Sequence, residues 1–501
     1  MIPFNREENV GDLRDWINLL EELGELKRIG AEVDWDKELG AVTRRNTNVG
    51  GPALLFENVK DYKDTPCKKL FTNGLGSRRR LALALRLPID SDDRRITATL
   101  KDLFEQRVGP VKLDSGPVKE NIITGKDVDL NRLPVPLWNF RDGGRYINTC
   151  AGVVTMDPET ELMNIGMYRG MISSKNTISC LVSATQHWGI HFEKYKQIGE
   201  EMPVAVVYGW DPALEITASA PLTHPGCSEY EITGALRRHP VDLVKCETSD
   251  LWVPASAEIV IEGKISPDPK TFEMEGPFAE YIGYYGGMAK PKPVIRVECI
   301  THRNDPIFRG CCEGGDPGRL AEPNLWSTHN KCAAIWNFLE SLRIGKILGV
   351  WSSPLARATI LRVQIKKTYR GEAKQIAHAI WGSNVALYSG KIVIVVDEDI
   401  DVFESDAVDW AIAYRVNADM GDIQFAPGCI GSALDPSIPL NKRDIEKYGQ
   451  GTWSRILIDA TIDWNLEPQE QYEGKRFPAL ASDISPEIEQ LVKRRWKEYG
   501  L

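Results

Sequence analysis

The 501-residue sequence has no CxxC, no HExxH, no GxxxxGK[ST], no strand-following GxGxxG and no GxSxG. Each absence removes a class of chemistry. Without glycine-rich phosphate loops, P-loop and Rossmann nucleotide sites are disfavoured. Lacking a nucleophile elbow, the chain does not read as a simple serine hydrolase. The 10 cysteines are scattered, with one adjacent pair at Cys311 and Cys312. That spacing supports neither a zinc knuckle nor a thioredoxin-like motif, and the thiols are expected to be reduced. No apolar run is long enough to span a bilayer, and MIPFNREENV lacks a signal pattern, so the expected location is cytoplasmic, with no membrane partner. Positive charge is also in short supply. The 61 basic against 71 acidic side chains leave a net charge of −10, which argues against nucleic acid as a partner.

What remains is a globular composition, 42% hydrophobic and 26% charged, spread over a length that needs several cores. The fold class expected is α+β and multidomain. Residues 1–112 read as an N-terminal α/β domain: Leu13, Trp16, Ile17, Leu20 and Leu23 recur at helical spacing up to Gly24, and short apolar runs follow at 51–59 and 69–75. From 113 to 320 the texture changes to short β-rich runs (133–156, 176–184, 203–210, 241–265, 292–303) broken by Gly and Pro, as in a barrel or sandwich. Residues 321–465 alternate again, with helices at 329–344 and 372–383 and strands at 358–367 and 391–403, the signature of a C-terminal α/β domain. In the tail, 466–501, Ser485 is the expected N-cap and Pro486 the first residue of a helix. Its stripe of Ile488, Leu491, Val492, Trp496 and Tyr499 is expected to dock on its own chain or on a neighbouring subunit.

The candidate chemistry lies in the middle segment. EGPFAE (275–280) sets Glu275 and Glu280 five positions apart around a Gly-Pro break, so a shaped loop aims two carboxylates. They could be an acid/base pair, metal ligands or solvated loop charges. Asn164 and Arg169 lie in MNIGMYRG; a buried Arg169 would need a carboxylate partner, and Glu275 or Glu280 would serve. His187 and His191 have the HxxxH spacing of a zinc site on one helix face, and a His-based zinc hydrolase is the first alternative reading. Glu229 opens a helical run and could be an ordinary first-turn carboxylate.

Taken together, AVTRR (41–45), LPVP with DGGRYI (133–147), the segment 164–169, TQH (185–187), Glu229, VPASAEIVIEG (253–263), EGPFAE and VDEDIDVFE (396–404) resemble the UbiD-like decarboxylase family over nearly the whole chain. Members use prenylated FMN to remove or exchange the carboxylate of aromatic, heteroaromatic or α,β-unsaturated acids. The resemblance implies a central split β-barrel, related to flavin reductases and FMN-binding. It implies Asn164, His187 and Glu229 as ligands of a divalent metal, usually Mn2+, that bridges to the cofactor phosphate, with K+ nearby. Arg169, Glu275 and Glu280 match the catalytic network, with Glu280 as proton donor to a substrate held in a covalent adduct. Gly166, Met167, Tyr168, Gln186 and Pro221 fall where relatives line the flavin. The partners implied are the acid substrate and CO2, a flavin prenyltransferase that supplies the cofactor, and further copies of the chain in a homodimer or homohexamer. A non-catalytic subunit of a carboxylase complex is the second alternative. Three departures stand out: Gly166 replaces a Ser of some relatives, the loop from Pro221 to Glu229 is one residue longer than in the ferulic acid decarboxylase subset, and no residue matches a lysine that some relatives place near the cofactor in the C-terminal domain.

Overall fold

The computed structural model describes residues 10–221, 228–448, 450–481 and 484–500. The lengthened loop noted above, 222–227, lies outside the described residues. At the N-terminus, Asp12 caps the helix Leu13–Glu22 by accepting from Asp15 N, and Gly24 at φ +70° turns the chain into the strand Leu26–Ile29. That strand opens a four-stranded sheet in the order 26–29, 53–56, 69–72, 307–309. Its last member, Ile307–Arg309, returns from far along the chain to pair in parallel with Lys69–Thr72.

The middle segment forms a sheet in the order Met163–Met167, Gly152–Met156, Met202–Tyr208, Ile259–Ile265, Val294–His302, Thr177–Cys180, Gly170–Ser174, with Asn121–Thr124 as an additional partner of 294–302. Its two end strands are consecutive in the chain, separated only by Tyr168 and Arg169. A flat sheet would hold strands six places apart at about 28 Å. Three peptide units span at most about 11 Å. The sheet therefore curls into a half-barrel whose open seam is bridged by Tyr168 and Arg169. Of the β-rich run 133–156, only Gly152–Met156 is a regular strand of this sheet. The preceding LPVPLWNF is irregular because its prolines cannot donate to a ladder.

The C-terminal segment is a five-stranded sheet in the order 346–351, 360–366, 392–396, 451–460, 423–431, and the helices Glu372–Trp381 and Ser405–Arg415 connect its strands. The expected helix at 329–344 runs longer, Glu322–Ser341, with fifteen of its residues buried. The tail helix Pro486–Arg495 starts where expected, with Ser485 Oγ accepting from Ile488 N at 3.4 Å. Docking on its own chain is corrected by the structure. No residue of that helix is buried, and Ile488, Trp496 and Tyr499 are 45–50% exposed. Five charged side chains in ten residues leave it too narrow an apolar stripe to be held by one chain alone. Among the described residues no helix is long and apolar enough to cross a membrane, and the nine described cysteines are all free, eight of them buried.

Candidate active site

The site is built where the seam of the half-barrel meets EGPFAE. Glu275 ends the strand Glu273–Glu275, paired with Lys290–Lys292, and Phe278–Ala279 pairs with Tyr285–Gly286. Between the two short ladders Gly276 takes φ +99°, a region closed to most side chains. The turn is held by DGGRYI. Asp142 Oδ1 accepts from Ala279 N (3.0 Å), Gly143 N donates to Pro277 O (2.8 Å), and Tyr146 Oη donates to Glu275 Oε1 (2.7 Å). A Cβ on Gly143 would lie 2.0 Å from Gly276 O. Gly143→Ala is therefore expected to displace the turn, at a cost of about 1–3 kcal/mol. A chemical melt unchanged from the parent protein would refute the clamp.

Arg169, on the seam, reaches this turn. Its Nη2 donates to Glu275 Oε2 at 2.8 Å, and its Nη1 makes a short contact with Glu280 Oε1. Burial works against the Arg169 charge, but Glu280 and Glu275 more than offset it and hold the guanidinium above its usual range. Burial raises the Glu280 carboxyl, Arg169 opposes the rise, and the nearby Glu275 adds to it. The Nε of Arg169 is buried and has no acceptor among the described residues. An acidic ligand would complete it.

A second cluster sits behind the strand Met163–Met167. Glu229 is the first residue of the helix Glu229–Arg237, behind a capping box of Ser228 and Glu231, so the sequence reading as a first-turn carboxylate holds. It does more, because its Oε2 accepts from Ile165 N on the strand at 3.0 Å. Burial pushes its carboxyl up to about 7. The amide nitrogen of Asn164 donates to His187 Nδ1 at 2.6 Å and to Glu229 Oε1 at 3.2 Å. Burial also lowers the His187 pKa, so the ring favours its neutral, ligating form. With the amide turned so that its oxygen faces inward, a carboxylate, an amide oxygen and an imidazole would meet as acceptors, a mixed donor set suited to a hard divalent cation. The expected pairing of His187 with His191 does not form a zinc site. The two rings engage the two members of one cross-strand pair, His187 with Asn164 and His191 with Thr155, and His191 Nδ1 is taken up by Thr155 Oγ1 at 2.9 Å. Among the described residues no group of three His, Cys, Asp or Glu is placed to hold a metal ion.

Between the two clusters lies a cavity of 710 Å³. Gly166, Met167, Tyr168, Arg169, Gln186, His187, Pro221 and Glu280 line it, whereas Asn164, Glu229 and Glu275 stand just behind the wall. Tyr168 stacks on Trp188, with ring centroids 4.4 Å apart and an interplanar angle of 4°, which leaves Gly166 no room for a side chain: a Cβ there would meet Tyr168 Oη at 2.4 Å. Glu313, Ser327, Lys331, Arg357 and Tyr388 complete the lining, and sequence reasoning singled out none of them. Nothing in periodicity or spacing marked them.

Glu313 offers a test by pH. Burial pushes its carboxyl up to about 7 from 4.5, with Arg357 opposing and Glu280 reinforcing. A carboxyl raised on folding stabilises the protein below its unfolded pKa, and that contribution is lost as pH rises through the folded value. Glu313→Gln is thus expected to raise the melting temperature at pH 8 by a few degrees, on the order of 1–2 kcal/mol. No difference is expected at pH 4.5, and an unchanged melting temperature at both values would contradict the assignment.

Residues 110–317 match the family described as the 3-octaprenyl-4-hydroxybenzoate carboxy-lyase Rift-related domain, and 17–100 and 328–460 match the N-terminal and C-terminal domains of the same carboxy-lyase. The chain is 32% identical over 508 residues to the pyrrole-2-carboxylic acid decarboxylase of Pseudomonas aeruginosa, covering 98% of each. Among solved structures, it superposes on the closed form of the vanillic acid decarboxylase of Sedimentibacter hydroxybenzoicus with a TM-score of 0.86 and 30% identity, over 97% of this chain and 99% of that one. HmfF of Pelotomaculum thermopropionicum, a UbiD-class enzyme in complex with FMN, gives a TM-score of 0.77 at 32% identity over 94% and 99% of the two chains. An evolved dimeric form of HmfF, in complex with prFMN, gives 0.74 at 30% identity over 91% and 96%. Identity near one third along the whole length, three consecutive domain matches and a common fold establish that this chain belongs to the UbiD family and is a carboxy-lyase.

Proposed function

We propose that the protein decarboxylates an aromatic, heteroaromatic or α,β-unsaturated carboxylic acid, reversibly and without net oxidation, with prenylated FMN in the 710 Å³ cavity. The observation that carries this reading is the Glu275–Arg169–Glu280 network at the edge of that cavity. When bound, prenylated FMN supplies the covalent electron sink for the carbon that carries the carboxylate. Gly166, Met167, Tyr168, Gln186 and Pro221 would hold the ring system and its tail, in the manner of a split β-barrel that binds FMN. Asn164, His187 and Glu229 would hold Mn2+ or another divalent ion at the phosphate, with K+ nearby.

The protein's own groups then have defined tasks. Arg169, through its free Nε–H, binds the substrate carboxylate and stabilises negative charge. Glu275 accepts from both Arg169 and Tyr146, and so fixes the plane of the guanidinium. As CO2 departs, the electron pair of the broken C–C bond needs a proton. Glu280, whose carboxyl burial raises, donates it to that carbon. In the reverse direction the same carboxylate removes the proton. We place the enzyme in the cytoplasm as a homodimer or larger homo-oligomer, with the exposed stripe of Ile488, Leu491 and Trp496 covered by another copy, and with a flavin prenyltransferase as cofactor supplier.

The test is co-expression with a flavin prenyltransferase, an ultraviolet-visible spectrum of the purified protein, and a screen of pyrrole-2-carboxylic, benzoic and cinnamic acids for CO2 release. The expected result is a flavin spectrum and CO2 from at least one acid. A colourless protein, inactive on every acid, would overturn the reading.

A further inference from the structure

The lining of the cavity carries two further cations, Lys331 and Arg357, that the reaction does not use. Lys331 lies one turn beyond Ser327 on the helix Glu322–Ser341, and both line the cavity. Arg357 projects from the connection between the strands Lys346–Trp351 and Ile360–Lys366. Its backbone is held in a costly conformation, with Arg357 at φ +44° and Ala358 at φ +64°, two successive non-glycine residues in the left-handed region. The turn is secured by Ser352 Oγ, which accepts from Ala358 N at 3.0 Å, and by Ala358 O, which accepts from Gly390 N at 2.7 Å.

The side chain of Arg357 is aimed as firmly as its backbone. Its guanidinium lies 3.8 Å from the centroid of the Tyr281 ring, and its Nε donates to Ser327 Oγ at 2.9 Å. That leaves Nη1 buried and without an acceptor among the described residues. Lys331 makes no hydrogen bond or ion pair among them, and burial, aided by the like charge of Arg357, lowers its ammonium to about 7. Glu313 and Glu280 are within electrostatic reach of Arg357, but neither is hydrogen-bonded to it. Arg169, by contrast, already has both its carboxylates. A strained turn, a stacked guanidinium with an idle buried donor and an unpaired lysine in one cavity form a receptor for an anion.

We propose that Arg357 and Lys331 form a second carboxylate subsite, so that the acid decarboxylated here is an aromatic or heteroaromatic dicarboxylate. The inference rests on the decarboxylase reading above and names its substrate class. One carboxylate is held by Arg169 and leaves as CO2. The other is held in the same cavity by the planar fork of Arg357, on the Tyr281 ring, with Lys331 within its electrostatic reach, and stays on the product. A rigid ring between two fixed cationic groups would be selected by length as well as by charge.

The experiment is isothermal titration of the flavin-loaded protein with matched acids: benzoate against isophthalate and terephthalate, and pyrrole-2-carboxylate against pyrrole-2,5-dicarboxylate. At least one diacid is expected to bind tenfold or more tightly than its monoacid. That preference should shrink to within about threefold in both Arg357→Met and Lys331→Met. Lys331→Met keeps shape and volume, so it remains informative if loss of the Tyr281 stacking unfolds the Arg357 variant; thermal melts identify that case. Equal binding of monoacids and diacids, a preference for phenolic over dicarboxylic acids, or a diacid preference that survives both substitutions would overturn the subsite. Turnover of monoacids with no diacid preference would sink the subsite and leave the reaction standing. A diacid preference without CO2 release from any acid would do the reverse.

Discussion

Glu280→Gln in the flavin-loaded enzyme is expected to abolish turnover, a fall of at least about 10²–10⁴-fold, and to stop incorporation of solvent deuterium into product while flavin stays bound. The substitution is nearly isosteric and keeps a contact to Arg169 Nη1, so it removes the transferable proton and little of the architecture. Two controls separate proton donation from mere charge balance. Glu275→Gln should also weaken the reaction, because Arg169 loses one of its two carboxylates, but deuterium exchange should persist at a reduced rate. The pH profile of the parent enzyme should show an acidic group raised above the ordinary carboxylate range by burial, and that limb should be missing in any residual activity of the Gln variant. Full activity of Glu280→Gln would remove Glu280 from the mechanism.

The largest effect on stability is expected at a residue remote from the chemistry. Arg309 is fully buried, and its Nη2 donates to Glu215 Oε1 and to Glu322 Oε1, each at 2.6 Å. Glu322 in turn accepts from Asn73 N at 2.7 Å and Leu75 N at 2.9 Å. One guanidinium therefore joins the N-terminal sheet, the helix Pro212–Ala218 and the start of the helix Glu322–Ser341. Arg309→Met would fill much of the space yet leave two carboxylates buried beside each other. Breaking such a pair by removing one partner costs about 3–5 kcal/mol, far more than intact buried pairs contribute. Urea unfolding should show a loss of that size, and Arg309→Lys should recover only part of it, since an ammonium cannot match two carboxylates in one plane. A loss below about 1 kcal/mol would show that water or a shifted side chain already satisfies Glu215 and Glu322.

The sequence and the tertiary structure divided the work in a way that follows from the range of the interactions. Helix starts such as Ser485 with Pro486, the alternation of helix and strand after 321, and the shaped turn at EGPFAE are all decided by neighbours a few positions apart. Local dihedral preferences and periodicity suffice for these. The order of motifs such as DGGRYI and EGPFAE was equally legible, and their contact explains why both are needed, since Asp142, Gly143 and Tyr146 clamp the turn that carries Glu275 and Glu280.

A barrel was among the expected architectures, but its strand order was not legible, because it depends on pairing strands far apart in sequence and brings Met163–Met167 and Gly170–Ser174 to opposite ends of one sheet. The return of Ile307–Arg309 to the N-terminal sheet was hidden for the same reason. So was the rest of the cavity lining, where a lysine in a helix and an arginine in a connecting turn look like solvated charges until the fold places them together. Residue types and local order determined which groups are available for carboxylate chemistry. Only the packing of separate segments decided which of those groups lose their water, share a cavity and lack a partner, because burial and charge pairing are properties of position in space.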